Sequence, residues 1–99
     1  MKGIITVVGK DQVGIIAKVC SFLADNQVNI LDISQTIVSG WFNMMMVVDL
    51  STSGHKFEDV VAELKKLGEE IGVDIRLQRE DIFNSMHRIY FFLLEVLSL

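Results

Sequence analysis

The chain of 99 residues holds a single cysteine, Cys20. No intramolecular disulfide can form, and one thiol suits a reducing, cytoplasmic compartment. Basic runs are missing too. The net charge is −4, from 13 acidic and 9 basic residues, and the densest basic dipeptide, Lys65-Lys66, lies inside an acidic helical pattern. A phosphodiester backbone is held by clustered Lys and Arg, so no nucleic-acid partner is expected. Long apolar runs are also scarce. The longest, from Ile89 to Leu99, has 11 residues, whereas a membrane-spanning helix needs roughly 20. The start, Met1-Lys2-Gly3-Ile4-Ile5-Thr6, lacks the apolar region and small-residue cleavage site of a secretion signal. A cytoplasmic protein with no membrane partner is the expectation.

Catalytic equipment is equally sparse. The two histidines, His55 and His87, are far apart and fall in different elements. No HxxxH, HxH or CxxC spacing marks a metal site. There is no GxSxG and no Walker loop. Cys20 sits among apolar helical positions, as an inert packed thiol does. Asp11 and Asp32 could approach each other, but nothing in the pattern raises a carboxyl pKa. No catalytic residue, no metal and no cofactor are expected, and the chain is not read as an enzyme.

What is abundant is apolar patterning, with 51% of residues hydrophobic. That is rich for so short a domain and leaves a surplus that a homo-oligomer interface would use. Residues 3–9 are β-branched and bounded by glycines, which predicts a short buried strand. From Gly14 the period changes. Ile15, Ile16, Val19, Phe22 and Leu23 recur at helical spacing, and Asp25-Asn26-Gln27 closes that helix. Residues 28–39 alternate as a second strand. Asn29, Leu31, Ile33, Gln35 and Ile37 are expected on one face; Val28, Ile30, Asp32, Ser34, Thr36 and Val38 on the other. After the Ser39-Gly40 turn, residues 41–50 form a third strand. Phe42, Met44, Met46, Val48 and Leu50 make its apolar face, and Trp41, Asn43, Met45, Val47 and Asp49 its mixed one. Phe57, Val60, Val61, Leu64, Leu67 and Ile71 trace a second helix that Gly72 stops. Val73, Ile75 and Leu77 give a fourth strand.

The order is βαββαβ. With the right-handed crossover rule, it points to an α+β ferredoxin-like sandwich: a four-stranded antiparallel sheet with two helices on one face.

Two places in this frame invite a ligand. The loop Gly9-Lys10-Asp11-Gln12-Val13-Gly14 joins the first strand to the first helix. Asp11 is placed to cap the helix start, which makes a plain capped turn. The same loop would also present the first N–H groups of the helix to a carboxylate or phosphate. Asn29 begins the second strand. Its amide offers a donor and an acceptor to a ligand, or equally to local backbone. Of the methionines, Met44 and Met46 are expected in the core and Met45 with Trp41 on the open face.

Together, Val7-Val8-Gly9-Lys10-Asp11-Gln12-Val13-Gly14-Ile15-Ile16 and Asn29-Ile30-Leu31-Asp32-Ile33-Ser34-Gln35 resemble the ACT domain family. Its common form is an apolar strand, Gly, a D-x-P-G-[LI] turn, an amphipathic helix and N-I at strand two. Val13 stands where the family usually has proline, which leaves the loop less preset. Asp32-Ile33-Ser34-Gln35 and Glu80-Asp81-Ile82-Phe83-Asn84-Ser85-Met86-His87-Arg88-Ile89 resemble the small stand-alone ACT proteins related to the glycine-cleavage regulators. The resemblance covers residues 1–89 as one domain. It leaves residues 90–99 as an apolar tail, which would cover the open sheet face, contact a partner or be a non-native extension.

The resemblance implies a non-enzymatic regulatory domain that binds a small molecule, often an amino acid, between two copies of the chain. Asp11, Gln12, Val13, Gly14 and Ile15 would form one wall of the site, and Asn29 and Ile30 the other. Side-by-side pairing would cover an exposed sheet edge. The alternative is an adaptor that has lost ligand sensing and binds a protein partner not identified by sequence; Val13, the apolar surplus and the tail speak for it.

Overall fold

β-Branched alternation from Lys2 and helical spacing from Ile15 set the first half of the fold. The computed structural model of the chain describes residues 1–81. Its elements are β1 (Lys2–Lys10), α1 (Ile15–Asp25), β2 (Asn29–Val38), β3 (Trp41–Asp49), α2 (Phe57–Ile71) and β4 (Val73–Arg79). The strands form one antiparallel sheet in the order β2-β3-β1-β4. This is the expected ferredoxin-like arrangement, with β2 and β4 as the edges. The tail from residue 90 lies outside the described residues.

Residues paired across an antiparallel ladder share a face. Gly3, Ile5, Val7 and Gly9 pair with Val48, Met46, Met44 and Phe42. This face carries the core, joined from α1 by Ile15, Val19 and Leu23 and from α2 by Val60 and Leu64. Apolar side chains at spacings of four and eight put one stripe of each helix on the sheet. Met44 and Met46 are fully buried there, whereas Met45 is half-buried and Trp41 exposed, as the alternation predicts. Cys20 is half-buried against the same core, and His55 is exposed in the loop before α2.

The second strand departs from simple alternation. Ile30 pairs with Val48 and Asp32 with Val47, so Leu31 is an extra residue with no partner. A bulge of one residue moves everything beyond it to the opposite face. Ile30 therefore joins Ile33, Gln35 and Ile37 on the helix side. Asn29 joins Asp32, Ser34, Thr36 and Val38 on the open side. The expected grouping of Asn29 with Ile33, Gln35 and Ile37 is corrected by this insertion.

Candidate functional site

The loop after β1 is held at three points. The Asp11 N–H donates to the Gly40 carbonyl at 2.8 Å, tying the loop to the β2–β3 turn. The Gln12 side-chain amide donates to the Ile71 carbonyl at the end of α2. Gly14 adopts φ 91°, a left-handed conformation that costs a residue with a Cβ, and stands at the N-cap of α1. No side chain caps this helix, and its first turn holds no acidic residue. The expected Asp11 cap is thus not formed. The loop leaves β1 toward Gly40, and the left-handed Gly14 takes the cap position instead. Among the described residues, the first amides of α1, at Ile15 and the two residues after it, have no side-chain acceptor. A helix N-terminus in that state favours an anionic group. Val13 is fully exposed.

Asn29 lies at the other end of the sheet. It pairs with Asp49, which pairs with Lys2, whereas the loop follows Lys10 and sits beside Trp41. Eight strand residues separate the two ends, roughly 26 Å. Asp32 lies in that far half as well, so it does not approach Asp11. One chain thus does not bring the two expected walls together. Around Asn29 there is a shallow cleft of about 430 Å³, lined by Ala24, Gln27, Val28, Asn29 and Thr52. The Thr52 hydroxyl donates to the Gln27 carbonyl at 2.9 Å, and Gln27 holds φ 58°. Ile30 is half-buried beside Val48.

Asp49 is a neighbour of Asn29 that pattern reading passed over. The signal was only its place at the end of a strand. Its carboxylate accepts the Ser51 N–H at 2.9 Å. That bond, a further one from the Ser51 side chain and the positive N-terminus hold its pKa below the ordinary carboxylate value. A lowered carboxylate pKa adds stability above the unfolded value, and the contribution is lost as pH falls through the folded one. Asp49→Asn is therefore expected to flatten the loss of thermal stability between about pH 5 and pH 3, as melting curves across that range would read. An unchanged acid slope would remove Asp49 from the pH response.

Among the described residues no cluster of three or more His, Cys, Asp or Glu side chains is placed to hold a metal. No helix there is long and apolar enough to cross a membrane.

A sequence profile described as the ACT domain matches residues 3–78. The chain belongs to the ACT domain family. This ACT domain is 59% identical over 88 residues to a UPF0237 protein of Bifidobacterium longum, covering 89% of this chain and 98% of that one. It also superposes on an ACT domain protein from Streptococcus pneumoniae with a TM-score of 0.75 and 43% identity, over 84% of this chain and 93% of that one. The regulatory subunit of aspartate kinase from Thermus thermophilus is a more distant likeness. Its TM-score is 0.62 at 25% identity, over 80% of this ACT domain and 51% of that chain. ACT domains are regulatory modules that typically bind small ligands, amino acids among them.

Proposed function

We propose that this ACT domain is a non-enzymatic regulatory domain of the cytoplasm that binds an amino acid between two copies of the chain. The observation that carries the reading is the separation of its two walls. The loop of Asp11, Gln12, Val13, Gly14 and Ile15 stands at one end of the sheet, and Asn29 and Ile30 at the other. Pairing two β2 edges antiparallel reverses one sheet relative to the other. The partner's strand start then comes to the loop end of the first copy. The edge is suited to this, since among the described residues β2 pairs on one side only, with β3, and leaves Leu31, Ile33 and Ile37 exposed.

In that arrangement the ligand carboxylate accepts N–H groups at the start of α1 beside Gly14. Asn29 from the other copy takes the ligand ammonium or side chain, and Asp49 beside it adds negative charge for an ammonium. The open first turn of α1 and the cleft at Asn29 supply complementary halves.

Thermal denaturation against a panel of amino acids tests the reading. At a ligand concentration about a hundred times Kd, binding to the folded state adds about 2.7 kcal/mol. A rise of the melting temperature with one or a few amino acids is expected, and its loss in Asn29→Ala. If no amino acid shifts the transition at millimolar concentration, sensing is excluded and the protein-interaction adaptor remains. The fully exposed Val13 favours that second reading, because the loop then presents an apolar side chain to a partner surface.

A further inference from the structure

Gly14 holds φ 91° and ψ 1°, the conformation of the third residue of a type II turn. A type I′ turn shares it but needs a left-handed residue just before. Among the described residues, Gln27 and Ser39 are the non-glycines with positive φ. Val13 is therefore not left-handed, and the turn from Gln12 to Ile15 is type II. Its second position, held by Val13, is where proline serves best, because the ring presets φ and restricts the unfolded chain. The chain contains no proline. Val13 is also fully exposed, so its side chain packs on nothing that would hold the turn. The restraint has to come from outside it. The Asp11 N–H bond to the Gly40 carbonyl holds the residue before the turn. Gln12, the first residue of the turn, sends its side-chain amide to the Ile71 carbonyl. Ile71 ends α2, and a helix leaves its last carbonyls without an intrahelical donor. The α2–β4 connection lies close beneath. A Cβ at Gly72 would stand 4.0 Å from Gln12 Nε2, and one at Gly9 would overlap Val73 at 2.7 Å.

We propose that Gln12 is a positioning residue: its bond to the Ile71 carbonyl presets the Val13-Gly14 turn, the part a proline would play. The two devices are of comparable strength, since the net worth of one hydrogen bond is close to that of one proline restraint. The Gln12 amide nitrogen is thus engaged by α2 rather than offered to a ligand, and it acts on the site through the backbone of Val13 and Gly14. A loop held in this way has less freedom to lose when a ligand binds. The consequence for affinity rests on the ligand reading above; the consequence for loop order does not.

The test compares the full-length wild type with Gln12→Met and with Gln12→Met combined with Val13→Pro. Methionine keeps the length of the side chain and removes the donor. Among the described residues the Val13 N–H makes no backbone hydrogen bond in the loop, so proline sacrifices none there. Backbone nitrogen relaxation at Asp11 and Gly14 reads loop order on the fast timescale. Order parameters of about 0.85 are expected in the wild type, below about 0.6 in Gln12→Met, and about 0.85 again in the double variant. A bond that merely stabilised the fold would lower the melting temperature and leave these values where they were. Order parameters unmoved by Gln12→Met overturn the proposal, and so does a loosening that Val13→Pro fails to repair. Should a variant fold poorly, the unmodified protein decides. NOE contacts from the Gln12 side-chain amide to the Gly72 α protons are expected in it, and their absence overturns the proposal. Affinity for the amino acid that stabilises the wild type should fall about fivefold in Gln12→Met and recover in the double variant. If no amino acid binds the wild type, the ligand reading falls, and loop order still decides the role of Gln12.

Discussion

Replacing Gly68 by alanine is expected to destabilise the domain by about 2–3 kcal/mol, against the usual sign of that exchange. Glycine inside a helix ordinarily costs about 1 kcal/mol relative to alanine. At Gly68 the helix lies directly on β4. A Cβ there would stand 2.6 Å from the Val73 carbonyl oxygen and 3.3 Å from the Ile75 nitrogen. Both are backbone atoms, so no rotamer change relieves the overlap. The helix must lift from the sheet, loosening the packing of its own Val60 and Leu64 against the core. For a domain of this size the melting temperature should fall by about 10–20 °C. Glu69→Ala, an exposed neighbour on the same helix, should change it little. A stability equal to or above wild type in Gly68→Ala would show that α2 can move away from β4 at small cost.

The second large effect is on self-association. Ile33→Lys together with Ile37→Lys is expected to weaken dimerisation at least about a hundredfold, or 2.7 kcal/mol. Both side chains lie on the helix side of the edge strand and are largely exposed in one copy. In an isolated chain the lysines remain in water at little cost. In paired β2 edges they would be desolvated beside their own counterparts, where like charges repel. Sedimentation equilibrium should show the wild type as a dimer and the variant as a folded monomer. A variant that still dimerises would place the interface away from β2.

Much of this fold is legible in the residues themselves. The change from alternation to helical spacing at Gly14, and the helix stop at Gly72, locate elements that the structure places within a residue or two. Met44 and Met46 follow into the core from alternation alone. The bulge at Leu31 does not show in the pattern, because one extra apolar residue among others leaves no mark. It nevertheless turns Asn29 to the face opposite Ile33. Gly68 did carry a signal, as the third member of the four-residue series Val60, Leu64, Gly68 on the buried side of its helix. The Gln12 link to the Ile71 carbonyl spans 59 positions, and only the packed fold brings those groups together. For the site, the local residues suggest a loop and an asparagine. Family resemblance supplies their relation across a dimer, since a single chain holds them apart.

The most direct measurement of that relation mixes two damaged chains. Asn29→Ala removes one wall. Gly14→Val removes the other by setting a β-branched residue at a φ of 91°, a conformation it strongly disfavours. Neither variant alone should bind the amino acid that stabilises the wild type. After mixing and exchange of subunits, half of the dimers pair one variant with the other, and each such dimer holds one intact site. Calorimetric titration of the mixture should then recover about a quarter of the wild-type sites at wild-type affinity. Two exchanged variants that recover no binding would contradict a site shared between copies.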